Sequence, residues 1–188
     1  MKTQELHSQR LILREVRAQD AQYAFKYWFS NKDVGRYMFW TVQTDFSETL
    51  EWIDYELSMI EDDLWYRFIV VDSEERNLFG TVLLYMDEEL QAWEIAYHFS
   101  TSCWNQGYAT EAVQTVLGFA RKVLMLDRVY ARYAKANIAS GRVLAKSGFR
   151  VIKEIEYWYN ENTKHTKGWL CVVDLSGGAY DRKRKYVE

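Results

Sequence analysis

The 188-residue sequence has no proline and two cysteines. Without proline, no turn depends on a cis X-Pro bond and no Pro-rich linker divides the chain. Cys103 and Cys171 supply no disulfide framework. Neither they nor the three isolated histidines, His7, His98 and His165, have metal-ligand spacing, so no metal is expected. No apolar run approaches the roughly 18 residues of a membrane span. The opening MKTQELHSQR lacks the apolar stretch of a secretory signal. No repeat, low-complexity stretch or Gly/Ser-rich linker interrupts the chain. These absences lead to the expectation of one domain over residues 1–188, cytoplasmic and with no membrane partner.

What is present is aromatic bulk and unevenly placed charge. Aromatics make up 16% of the chain, with 8 Trp and 14 Tyr, enough to fill a core and line a pocket. The net charge of -3 conceals three blocks. Residues 45–94 hold 15 Asp/Glu against only Arg67 and Arg76, a net of -13, while 1–44 carry +3 and 95–188 carry +7. The split reads either as clustered solvated faces or as one cationic and one anionic partner. The terminal Arg182-Lys-Arg-Lys185 reads as a solvated basic tail within 176–188. With no basic stripe elsewhere, no nucleic-acid partner is expected.

Hydrophobic periodicity outlines the elements. Strand patterns cover Arg10–Val16, then Trp65–Asp72, Leu78–Met86 and Ala92–Phe99 as an antiparallel meander. Apolar residues at 3/4 spacing predict helices over Asp20–Phe29 and Ser47–Ile60, the second capped by Ser47 or Thr44. The long stripe from Ala109 to Leu124 predicts a helix over Tyr108–Leu124. A strand over Arg128–Ala134 and a helix over Ile138–Ser147, stopped by Gly148, come next. A hairpin pairs Val151–Tyr159 with Gly168–Asp174. The order β-α-α-β-β-β-α-β-α-β-β implies an α/β mixed sheet flanked by helices.

Two segments carry chemistry. In Phe99–Glu111, FSTSCWNQGYATE, a strand enters a Gly-containing loop that opens onto the long helix. Backbone N–H groups and the positive helix end then converge as a phosphate would require. Gly107 permits close approach and Thr110 offers a hydroxyl, though glycine loops also cap many helices. In Ala136–Phe149, ANIASGRVLAKSGF, Asn137 and Ser140 open a helix and read equally as ordinary caps.

Together, Gln106-Gly-Tyr-Ala-Thr-Glu-Ala112 on an apolar helix, a strand, then Ala136-x-Asn-x-x-Ser140 with Lys146-x-Gly-Phe149 resemble the GNAT acetyltransferases. Arg10-Leu-Ile-Leu-Arg14, Asp20-Ala21 and Asn31-x-Asp-Val34 are similar to the branch of ribosomal-protein N-terminal acetyltransferases. The resemblance spans about residues 8–175 and implies a GNAT fold, a mostly antiparallel sheet splayed at the cofactor site. It also implies acetyl-CoA as acyl donor and a primary amine as acceptor. The leading acceptor is a peptide or protein N-terminus, and the runner-up is a small cationic, polyamine-like amine. Family members often form homodimers, an assembly the sequence leaves open.

The family's pyrophosphate loop maps onto Trp104, Asn105, Gln106, Gly107, Tyr108 and Ala109. Trp104 replaces an Arg/Gln, and Asn105 stands where the branch often has Gly. Phe99 and Thr101 are implied to offer main-chain contacts to the pantetheine and an oxyanion N–H. Asn137 is implied to bind the pantetheine arm. Arg142 and Lys146 are candidates for nucleotide phosphates, or else solvated helix residues. Many family members place a tyrosine acid seven residues after the Asn; here that position is Leu144, and Ser140 matches the serine of the ribosomal-protein branch. Glu94 is the candidate general base, with Tyr97, His98 and Tyr133 as further pocket candidates. Trp104, Asn105 and Leu144 also leave open a CoA-binding regulatory module with little turnover. Tyr23, Tyr27, Trp28, Tyr37, Phe39 and Trp40 serve either a pocket or the core.

Overall fold

The structure, a computed structural model, describes residues 4–176; the basic segment Arg182 to Lys185 lies outside the described residues. Its strands are β1 (Leu6–His7), β2 (Leu11–Arg14), β3 (Trp65–Asp72), β4 (Leu78–Asp87), β5 (Ala92–Phe99), β6 (Arg128–Ala134), β7 (Arg150–Tyr159) and β8 (Lys164–Asp174). Its α-helices are α1 (Ala21–Ala24), α2 (Lys32–Gly35), α3 (Phe46–Ser58), α4 (Tyr108–Lys122) and α5 (Ile138–Lys146). Among the described residues these strands form one mixed sheet in the order β1-β2-β3-β4-β5-β6-β8-β7.

Period-two alternation decides what lies on each side of the sheet. From β3, Tyr66, Phe68 and Val70 join Val82, Leu84, Ile95 and the apolar stripe of α4. Ile69 and Val71, one step out of phase, pack instead with Ala21, Ala24, Trp28, Phe29 and Ile53. The α4 stripe (Ala112, Val113, Val116, Leu117, Ala120) is buried as its periodicity predicts.

The N-terminal third departs from the sequence expectation. Asp20–Phe29 is a composite: a 3-10 turn over Ala18–Asp20, one turn of α1, then a π-helical turn over Phe25–Phe29. The widened turn ends where Ser30 donates from its N–H and its hydroxyl to Phe25 O. Trp28 is thereby set into the core, its Nε1 donating to Ser100 Oγ at 2.8 Å. The cap of α3 is Asp45, which accepts from Ser47 N–H at 2.9 Å in a reciprocal box with Glu48. Gly148 takes a left-handed φ of 90° just past α5, as a helix stop requires.

Neighbouring strands run antiparallel except β5 and β6, which are parallel and joined through α4. Whereas β4 and β5 stay paired from Gly80–Phe99 to Asp87–Ala92, β5 and β6 meet at one register position, Glu94–Tyr130. Toward Phe99 and Ala134 they part. Gly80 keeps β4 tight there, since a Cβ at that position would lie 2.2 Å from His98 O.

Candidate active site

The parted strands lead to two turns. After β5 the chain makes a 3-10 turn over Thr101–Cys103 and enters α4 through Asn105 and Gly107, both left-handed (φ 61° and 85°). Gly107 is the N-cap residue of α4. The loop is braced by Arg10, whose Nη1 donates to Gln106 O at 3.1 Å and whose Nε donates to Glu111 Oε2 at 2.7 Å. The same guanidinium covers the Tyr108 ring at 4.4 Å, and Tyr108 in turn stacks on Phe79. Gln106 Nε2 donates to Ser102 O. Asn105, Gln106 and Gly107 stay exposed, whereas Tyr108, Ala109 and Thr110 are half-buried in the first turn of the helix.

Trp104 belongs to the scaffold of this loop: its indole Nε1 donates to Phe99 O at 2.8 Å. The Ser100 N–H donates to Phe79 O at 2.7 Å. Main-chain groups over Phe99–Thr101 are therefore partly engaged within the protein, which narrows the oxyanion donors expected there. Arg142 and Lys146 are exposed on α5. Asn137 caps α5, its Oδ1 accepting from Ser140 N–H at 3.2 Å.

A cavity of about 1310 Å³ runs through the opening between β5 and β6. Asn137, Ser140 and Leu144 wall one end, and Phe29, Trp40, Trp52 and Trp65 wall the other. Of the sequence-derived candidates it collects Phe39, Trp40, Glu94, Tyr97, His98, Tyr133, Asn137 and Ser140, whereas Trp28 is core. The residues from Phe99 to Thr110, and Arg142, are not on its wall. Alternation along β5 divides the tasks: Tyr97 faces the α4 and α5 side, and Glu94 and His98 face the side of the N-terminal helices.

Tyr97 Oη lies 2.9 Å from Ser140 Oγ and donates to Ser140 O at 3.1 Å. Burial raises the Tyr97 phenol well above its usual value, against the lowering effect of that hydroxyl contact. Gly141 makes room beside this pair, because a Cβ there would meet the Tyr133 ring at 2.9 Å.

Glu94 is only 4% exposed. Arg132 Nε donates to its Oε1 at 3.1 Å, and Arg132 Nη2 lies 2.7 Å from its Oε2. The same guanidinium reaches Asp87 at 2.5 Å and Glu89 at 2.9 Å. Burial raises the Glu94 carboxyl above the usual glutamate range, and Arg132 limits the rise. Beside it, burial pushes the Tyr157 phenol up to about 12. His98 is enclosed by Trp28, Phe29 and Trp40 at centroid distances of 4.7 to 5.8 Å. Burial, followed by the charge of Arg67, holds its imidazole well below the usual range, so it is neutral at pH 7.

Of the acidic block, Glu56, Asp87, Glu89 and Glu94 reach the cavity. Glu56 accepts from Arg67 Nε at 2.9 Å and from Trp65 Nε1 at 2.8 Å. Arg132 and Arg67 were not among the sequence candidates. Their partners lie 38 and 11 positions away, beyond what spacing along one strand or helix shows. Among the described residues no group of three or more His, Cys, Asp or Glu is placed to hold a metal, and no helix is long and apolar enough to cross a membrane.

Comparison with known proteins agrees with this architecture. The Vibrio fischeri ribosomal-protein-S5-alanine acetyltransferase superposes with a TM-score of 0.76 at 20% identity, covering 92% of this chain and 97% of that one. The Vibrio cholerae spermidine N-acetyltransferase, solved with CoA and spermine, gives 0.75 at 20% identity over 90% and 98%. The uncharacterized N-acetyltransferase p20 of Bacillus licheniformis is 30% identical over 146 residues, 77% of this chain and 82% of its own. The family model described as "Acetyltransferase (GNAT) domain" matches residues 10–150. Fold, sequence relatives and family model thus converge: the chain belongs to the GNAT family of acetyl-CoA-dependent N-acetyltransferases.

Proposed function

We propose that the protein, a single cytoplasmic domain, acetylates the primary amine of a peptide or protein N-terminus. Glu94 is the general base and the Ser140 hydroxyl stabilises the departing thiolate. The observation that carries this reading is the cavity through the sheet, which is lined by both Glu94 and Ser140. Free, buried Cys103 and Cys171 suit a reducing compartment.

Acetyl-CoA supplies an activated acetyl thioester. The chain's residues fit it: Gly107 and Asn105 hold exposed backbone in left-handed conformations at the start of α4, where N–H groups favour phosphate. Asn137 stands at the cavity end of α5, with its Oδ1 already used as a cap. Glu94 takes the proton of the acceptor amine, and its raised carboxyl makes it a better base than a solvated glutamate. As the new C–N bond forms and the C–S bond breaks, the Ser140 hydroxyl donates a hydrogen bond to the departing thiolate, which then takes its proton from water. Tyr97 holds that hydroxyl in place.

The competing acceptor, a small polycationic amine, is suggested by the acidic block. The acids of that block on the cavity wall are already engaged by Arg67 and Arg132, which weakens it.

A thiol-release assay with acetyl-CoA and a panel of peptides tests the reading. Glu94→Gln is expected to lower kcat by roughly 10²-fold or more. Unchanged rates in both Glu94→Gln and Ser140→Ala remove the catalytic assignment. Absence of any rise in Tm with acetyl-CoA removes the donor.

A further inference from the structure

The acceptor end of the cavity is walled by rings. Phe29 meets Trp40 and Trp52 edge-on at 5.1 and 4.9 Å, and Trp65 sits between Tyr55 and Tyr85. At this end two large aromatics from separate segments stay exposed, Phe39 (61%) and Tyr55 (48%), whereas Trp158, one step out of phase with Tyr157, lies on the other face of the sheet against His165 at 4.7 Å. Solvent-facing rings gathered at one cavity need an apolar body to cover them.

The charges on the wall point the same way. Glu56 is bound by Arg67. The Arg67 guanidinium lies 5.7 Å from the centroids of both Trp52 and Trp65, so those rings already carry a cation. An extended polycation would find no unpaired carboxylate along this wall. Surplus negative charge is confined to one place, where Asp87, Glu89 and Glu94 share the single guanidinium of Arg132. That place suits one ammonium group.

We infer that the acceptor is a monoamine carried on a bulky apolar, preferably aromatic body, selected at this end of the cavity by Phe39 and Tyr55. The inference rests on the reading of this cavity as the acceptor site. Two sources share that chemistry, a free arylalkylamine and a peptide that begins with an aromatic residue.

The test compares phenethylamine, a Phe-initiated tripeptide, an Ala-initiated tripeptide and spermidine in the thiol-release assay with the full chain. The expected result is a kcat/KM at least about tenfold higher for an aromatic acceptor than for spermidine and the Ala-initiated peptide. Phenethylamine against the Phe peptide separates the two sources. Phe39→Ala and Tyr55→Ala, both at exposed positions, are expected to reduce the aromatic preference severalfold, mainly through KM. Spermidine or the Ala peptide as best acceptor, or rim variants that leave the ratio unchanged, overturns the inference while acetyl transfer stands. No turnover with any amine, together with no acetyl-CoA shift in Tm, marks the failure of the underlying reading instead.

Discussion

The hydroxyls of Tyr97 and Ser140 lie 2.9 Å apart, although the residues are 43 positions apart and belong to a strand and a helix on opposite sides of the opening in the sheet. Leu144 occupies the position at which many relatives carry a tyrosine, yet a phenol is still present at this end of the cavity, supplied by β5. Tyr97→Phe keeps the ring and deletes one hydrogen bond, worth about 1 kcal/mol. The expected outcome is a kcat lowered about fivefold with the KM for acetyl-CoA nearly unchanged, measured by steady-state kinetics. A kcat equal to that of the parent sinks the role of Tyr97 in holding Ser140.

Arg132 opposes the effect of burial on the Glu94 carboxyl. Burial raises the carboxyl and the guanidinium opposes it, so removal of Arg132 leaves the raising effect unchecked. On the proposed reading, Glu94 acts as base only when deprotonated. The acidic limb of the kcat/KM profile of Arg132→Met is therefore expected to move to higher pH, with partial return in Arg132→Lys. A limb that stays in place in both variants shows that Glu94 is not the group being titrated.

His98 ties stability to pH. Its folded-state value is depressed by burial and by Arg67, so the unfolded chain binds a proton that the folded chain refuses. Its contribution is full above the unfolded value of about 6.5 and is lost as pH falls toward the folded one. Urea unfolding over a pH series should show stability falling below about pH 6.5, with a slope of up to about 1.4 kcal/mol per pH unit from this group. In His98→Phe that part of the slope should vanish; an identical slope counts against the assignment.

Gly107 begins α4 at a φ of 85°, and a Cβ there would lie 3.4 Å from Arg10 Nη2. Gly107→Ala is expected to cost about 1 kcal/mol or more in stability, because alanine is strained in that conformation. It should also raise the KM for acetyl-CoA more than it lowers kcat. A variant with parent-like Tm and KM would show that the loop tolerates a side chain and that Gly107 is not needed there.

Periodicity made the scaffold readable. The meander, β6 and the apolar stripe of α4 follow from alternation and 3/4 spacing, because each buries one face against a single partner layer. The N-terminal helix was not readable in the same way. Its 3/4 pattern from Ala21 to Trp28 is real, but the π turn at Phe25–Phe29 shifts the last turn so that Trp28 reaches Ser100. The two-residue β1 and the four-residue α2 are too short to leave a periodic trace. In the site, Glu94, Asn137 and Ser140 stood out by motif and strand position. Their controllers, Arg132 and Tyr97, did not reveal those roles, since each acts through a contact made only once β5, β6 and α5 are assembled.

The single rung joining β5 to β6 has a kinetic consequence on the proposed reading. A cavity that pierces the sheet has an end on each face, so donor and acceptor arrive through separate doors and neither blocks the other's path. Both can then reside together before any bond changes. The reciprocal plots for the two substrates should accordingly intersect rather than run parallel, and the sequence of arrival is set by relative affinity, not by obstruction.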